Sequence, residues 1–289
     1  MITRFPSDKL LLGVLAALAA GAAGTAHAAP SRNGLVAFVR CCGSGTGIYA
    51  VRPDGGGQRL VYRALHDDAP LTPAWSPNGK QIAYVPGAPL GGLWVMNANG
   101  TKRHRVVRGN GDALFPTWST DGTKIAFADL ARPGGRLRDI FVVRANGTGL
   151  RRLAGGLVDD SRPAWAPDDS AVAYQRGRSI WTVRTDGTRP HLIVANASSP
   201  AWSPGATTLA FVRGGDPWIV KRNGTGAKRV LHEPSPQISV TWSPDGRWLV
   251  TAPIDRADLV LVQPNGATTK PLTREQGYFH AWPAWQPIR

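Results

Sequence analysis

PAWSPNGKQIAYV, Pro73 to Val85, returns with small changes four more times along the chain. The later copies are PTWSTDGTKIAFA (Pro116 to Ala128), PAWAPDDSAVAYQ (Pro163 to Gln175), PAWSPGATTLAFV (Pro200 to Val212) and VTWSPDGRWLVTA (Val240 to Ala252). A catalytic signature occurs once, whereas a phrase that recurs at a steady period is a building unit. Its tryptophan paces the repeat, at Trp75, Trp118, Trp165, Trp202, Trp242 and Trp285. A period of about 40 residues suits propeller blades or helical repeats, and the content of the unit decides between them.

Each tryptophan is followed by a turn cluster, SPNG, STDG, APDD, SPGA or SPDG. Pro, Asp, Asn and Gly in such clusters specify tight turns. A short alternating run comes next, such as QIAYV or KIAFA, then a loop of variable length. A second run rich in β-branched and aromatic residues follows, such as LWVMN, IFVVR or IWTVR. It ends in NANGT, RANGT, RTDGT, KRNGT or QPNGA, and a last short run closes the unit. Asn-Gly or Asp-Gly between apolar runs predicts a type I′ turn, with positive φ at both central residues. No stretch shows helical spacing over three turns, so each unit is a four-stranded antiparallel meander. Such an array is a β-propeller.

The ends of the chain set the number of blades. NGLVAFV (Asn33 to Val39), GIYAV (Gly47 to Val51) and QRLVY are second, third and fourth strands lacking a first. PAWQPIR at the C-terminus is a first strand with no successors. The two fragments complement each other, giving an all-β, six-bladed propeller whose last blade joins one C-terminal strand to three N-terminal ones. Closure pairs both edges that would otherwise invite aggregation.

The units W-S-P-D-G-x-x-I-A-F…I-[YWF]-x-[VM]-x-x-[DN]-G resemble the propeller repeat of TolB and related bacterial proteins. The resemblance runs over nearly all of the chain beyond its first 28 residues. It implies an exported, non-enzymatic module that holds a protein or peptide partner of the cell envelope. The motif is specific for the fold and poor for chemistry, because fold does not imply function. TolB itself carries an α/β domain ahead of its propeller, whereas these units begin almost at the predicted cleavage site.

The first 28 residues read as a secretory signal peptide. Arg4 and Lys9 precede the apolar run Leu10 to Gly24, and Ala26-His27-Ala28 has the small-x-small cleavage pattern. The propeller therefore spans 29–289, and a periplasmic or secreted monomer with no membrane span is the expectation. The formal net charge is +15. Its basic residues are scattered singly or in pairs, the pattern of a solvated face. A nucleic-acid partner is not expected, whereas an anionic cell-wall polymer fits the charge.

No nucleophile elbow, zinc-protease helix, phosphate loop or EF-hand loop occurs. Three of the four glycosylation sequons are Asn-Gly-Thr turns, which the repeat explains without a glycan. Loops carry the remaining signal. Asp68, Asp112, Asp160, Asn196, Gln237 and His280 precede successive blade tryptophans by five to seven residues. Pseudo-symmetry puts them around the mouth of the channel, as a ring for a peptide or for a hard cation such as Ca²⁺. The same residues could simply be turn formers entering a strand. Arg132, Arg136, Arg138, Arg176 and Arg178, in the loops between second and third strands, would form a basic rim. Pairing within that rim is the plainer alternative. A metal-dependent lyase or lactonase at the mouth is the competing function, and its metal shell would need three or four convergent ligands.

Overall fold

The structure, a computed structural model, describes residues 32–41, 45–64, 71–86, 90–109, 113–232, 234–255, 258–275 and 278–288. The predicted signal peptide, Asp68 and Asp112 lie outside the described residues. Those residues form six four-stranded sheets, every neighbouring pair antiparallel. Blade one runs through Leu71–Trp75, Gln81–Val85, Leu93–Asn97 and His104–Val107. The first strands of blades two to five are Leu114–Trp118, Asp160–Trp165, Ser198–Trp202 and Gln237–Trp242. Blade six takes its first strand, Phe279–Ile288, from the C-terminus and the other three from residues 32–63. Trp285 pairs with Val36 and Ala281 with Val39. The first strand of each blade touches the first strands of both neighbours, so these six strands form a closed ring about an axis.

Blade-to-blade burial holds the ring together. Trp118 packs with Ala83, Val85, Leu93 and Val95 of blade one and with Ile125 and Phe127 of its own blade. Its indole Nε1 donates to the Ala74 carbonyl across the joint at 3.1 Å. Trp202 repeats the arrangement, donating to Ala164 at 3.2 Å. Trp285 closes the ring by packing alone, against Val250, Ala252 and Leu261 of blade five. Removing one such indole would cost about 3–5 kcal/mol.

Turn chemistry follows the repeat. In the first-to-second turn of blade two, Ser119 Oγ donates to Asp121 Oδ1 at 2.5 Å, and the Thr123 amide donates to the same oxygen at 2.9 Å. The Ser119 hydroxyl, then the Thr123 amide and hydroxyl, hold the Asp121 carboxyl down at about 2. Glycine occupies the left-handed position of this turn at Gly79, Gly122 and Gly246, but Asp169 and Ala206 sit there at φ 54°.

The third-to-fourth turns differ from the type I′ expectation. Only the glycine has positive φ: 85° at Gly147, with Asn146 outside the left-handed region. Gly147 N donates to Arg144 O at 2.8 Å, and Arg144 N donates to Thr148 O at 2.9 Å. This is a type I turn closed by a left-handed glycine, the next most common hairpin solution. The sequence pattern Asn-Gly fits both turns. Each turn glycine lies against a carbonyl of the preceding blade's fourth strand or the residue after it, as Gly147 does against Val106. Asn146 Oδ1 accepts from the Thr148 amide and hydroxyl at 3.1 and 2.8 Å. Asp186 and Thr188 form the same pair without a sequon, so the Asn-Gly-Thr triplets are accounted for by turn geometry.

Candidate functional site

Short turns occupy one rim of the ring. The opposite rim carries the second-to-third loops and the connections between blades. Asp160 opens the first strand of blade three and is fully buried. Arg176 Nε and Nη2 donate to its two carboxylate oxygens at 2.8 and 2.7 Å. Burial pushes the Asp160 carboxyl above the ordinary carboxylate range, and Arg176 pulls against it. The contact is a bidentate fork, two parallel hydrogen bonds to one carboxyl. Asp159 Oδ1 accepts the Arg138 amide at 2.9 Å, with the Arg138 guanidinium 3.6 Å away. Two of the five rim arginines therefore pair with acids of the mouth. Arg132, Arg136 and Arg178 are exposed.

Of the other described members of the predicted ring, His280 and Gln237 have local partners. His280 is fully buried in the closing strand. Its Nδ1 lies 2.9 Å from Thr273 Oγ1, its Nε2 lies 3.4 Å from Glu275, and its ring meets the edge of Phe38. Burial lowers its pKa against the opposing pull of Glu275 and Asp258, so the imidazole is neutral at pH 7. Gln237 is buried and donates Nε2 to Ser235 O at 2.8 Å. Asn196 is exposed at φ 52°, a turn residue leading into a strand. Among the described residues, no group of three or more His, Cys, Asp or Glu is placed to hold a metal ion. No helix among them is long and apolar enough to cross a membrane.

Two sets of residues escaped the sequence reading. Asp139, Asp216 and Asp258 stand at the starts of third strands and tie down the connection to the next blade. Asp258 Oδ1 accepts from the Thr273 hydroxyl and the Glu275 amide, both at 3.1 Å. Asp139 holds Arg152 at 2.9 Å, and Asp216 lies 3.1 Å from His232. An Asp closing three of the second-to-third loops was the available signal.

The second set lies at the axis, three residues before each tryptophan: Thr72, Phe115, Arg162, Ser199, Ser239 and Trp282. Five of them sit at bulges with left-handed backbone, φ 54° at Thr72, 53° at Phe115, 50° at Arg162, 54° at Ser199 and 48° at Trp282. In blade five the bulge falls one residue earlier, between Gln237 and Ser239. Contacts run from strand to strand around the ring. The Phe115 amide donates to Thr72 Oγ1 at 2.9 Å, and the Phe115 ring meets Trp282 edge-on, 6.4 Å between centroids. Ser199 Oγ donates to the Ile238 carbonyl at 2.9 Å. A network drawing on all six first strands can meet only at the axis. No sequence motif marks these residues, because their types differ from blade to blade.

The fold and its geometry find matches among known proteins. Solved structures of similar architecture include TolB from Acinetobacter baumannii, at TM-score 0.73 and 20% identity, covering 88% of this chain and 67% of that one. A chain of a nidogen/laminin complex matches at TM-score 0.74 and 12% identity, over 87% of this chain and 98% of that one. At these identities the likeness is one of fold. A Tol-Pal system protein TolB from Alcanivorax borkumensis is 33% identical over 75 residues, 25% of this chain and 17% of the relative. The matched stretch is thus a small part of that relative's length. The family model described as the TolB beta propeller domain matches residues 33–289. On that match, the chain belongs to the TolB β-propeller domain family.

Proposed function

We propose that this protein is an exported binding module that holds a protein or peptide of the cell envelope on its loop-bearing rim. The observation that carries this reading is the rim's exposed apolar surface. Leu157 is 95% exposed, Ile254 54%, Val158 46%, Leu90 40% and Leu137 37%, and all five lie in second-to-third loops or a connection between blades. Leu137 follows exposed Arg136 in the chain, and Val158 lies against Gly177, the neighbour of exposed Arg178. Exposed aliphatics and arginines carried together on the loop-bearing rim of a rigid scaffold suit protein recognition. A relative named as a Tol-Pal system protein supports an envelope partner.

The test is capture from envelope extract by the purified protein and by Leu137→Asp/Leu157→Asp/Ile254→Asp. One stoichiometric partner, retained by the wild type and lost by a variant that melts unchanged, is the expected result. Equal capture by both proteins overturns the reading. Export predicts a mature chain beginning near Ala29, which terminal sequencing reads directly. A Ca²⁺ ion at the mouth would draw on Asp68 and Asp112, since Asp160 is engaged by Arg176. A fall in melting temperature on chelation would reveal it. An anionic polymer partner would dissociate steeply with salt.

A further inference from the structure

Arg162 stands where the blades meet. Its Nη1 donates to Ser199 Oγ of blade four at 2.9 Å and to the Ile238 carbonyl of blade five at 3.2 Å. Its guanidinium lies 4.6 Å from the centroid of Phe115 of blade two. Nη1 makes both of its hydrogen bonds. Among the described residues, Nε and Nη2 donate to no protein atom and no carboxylate pairs with this arginine. Neither nitrogen is among the polar atoms sealed from solvent without a partner.

An arginine drawn out of bulk water is normally paired, since an uncompensated charge there is costly. Burial pulls the Arg162 pKa below its ordinary value, yet a guanidinium keeps its proton in proteins. The chain contains the usual remedy one strand away. Arg176 presents the same Nε–Nη2 edge to Asp160 and binds both carboxylate oxygens. That edge is the part of Arg162 left open. Further unmatched donors lie nearby. Trp282 Nε1 is buried without a partner, on the ring that meets Phe115. Ser239 follows the carbonyl that Arg162 holds; it is 8% exposed, and its Oγ has no partner. The flat, singly charged edge of Arg162 matches a carboxylate.

We propose that the open Nε–Nη2 edge of Arg162 is a carboxylate-binding site at the axis of the ring. The carboxylate comes either from a free organic acid or from an acidic side chain or chain end of a bound peptide. The peptide source rests on the binding function proposed above; the site itself does not.

Calorimetric titration of the purified protein in low-chloride buffer tests this, with acetate, an end-blocked Gly-Glu-Gly peptide and its Gly-Gln-Gly counterpart as probes. Acetate should bind saturably. Arg162→Met should weaken that binding by at least about tenfold, the loss of a charge-assisted bidentate contact. Arg184→Met, exposed beside the short turns of the opposite rim, should leave it unchanged. A preference for the Glu peptide over the Gln peptide assigns the carboxylate to a peptide, and acetate binding without that preference assigns it to a free acid. The unliganded Arg162→Met protein should melt at or above the wild-type temperature, because an unpaired cation is removed. A lower melting temperature with acetate binding intact would show that Arg162 is only a staple between blades. Absence of saturable carboxylate binding by the wild type overturns the proposal. Should Arg162→Met fail to fold, Arg162→Lys keeps the charge and loses the fork, and wild-type acetate binding by that variant overturns it equally.

Discussion

Replacing the turn glycines one at a time by alanine tests whether the third-to-fourth turns dock the blades together or merely reverse the chain. All six glycines have left-handed backbone, from φ 77° at Gly266 to 93° at Gly187. A methyl on that backbone costs about 1–2 kcal/mol at every position. The surroundings differ. At Gly187 the methyl would stand 3.3 Å from the Leu153 carbonyl oxygen, close to ordinary contact. At Gly147 it would stand 2.8 Å from that of Val106, which forces a small shift. At Gly100 and Gly266 it would overlap the carbonyl oxygens of Val61 and Val230 outright, so the blades must separate locally. Overpacking of that kind adds about 1–3 kcal/mol. Gly187→Ala should therefore lose about 1–2 kcal/mol, Gly100→Ala and Gly266→Ala about 2–5, and Gly147→Ala should fall between. Urea unfolding followed by tryptophan fluorescence reads the series, with the slopes checked for a common two-state transition. A uniform loss would mean that backbone strain alone matters and that the turns do not pack against their neighbours. A larger loss at Gly187 than at Gly100 would refute the docking argument.

Lys102 and Arg189 are exposed at φ 52° and 53°, one residue beyond the turn threonine, where other blades place Gly149 and Gly226. Lys102→Gly should stabilise by about 0.5–1 kcal/mol, the left-handed strain less the entropy of glycine, and a destabilised variant in urea unfolding contradicts this. Asp121 has its folded pKa depressed to about 2 from 3.8, so its contribution is present above 3.8 and is lost as pH falls towards 2. Melting temperatures between pH 5 and 2 should therefore fall less steeply for Asp121→Asn than for the wild type; parallel curves would remove this residue from the acid limb. Asp160→Asn breaks the fork to Arg176 and should cost about 3 kcal/mol, because the arginine loses its buried counter-charge; a loss below 1 kcal/mol in the same urea assay would show that water replaces the partner.

The recurring tryptophan phrase determined the blade, its strand count and the closure from both ends. Those features rest on period-two alternation and on turn residues, which are local properties of a chain. The Asp-Gly turns were legible for the same reason. The third-to-fourth turn type was not, because Asn146-Gly147 satisfies two geometries, which only the backbone itself tells apart, through Gly147 N to Arg144 O and Arg144 N to Thr148 O. For the candidate site, pseudo-symmetry placed Asp160 and His280 at equivalent points of the repeat. Their partners Arg176, Thr273 and Glu275 follow from burial and from the closure of one particular blade. The axial residues lay further out of reach. Phe115, Arg162, Ser199 and Trp282 share a position in the unit and no chemistry, so nothing in one dimension marks them as neighbours. Only when six strands converge on one axis does a lone guanidinium meet a phenyl ring, a hydroxyl and a carbonyl from three other blades. Local periodicity thus determined the scaffold, and convergence of segments distant in the chain decided which of its side chains face one another.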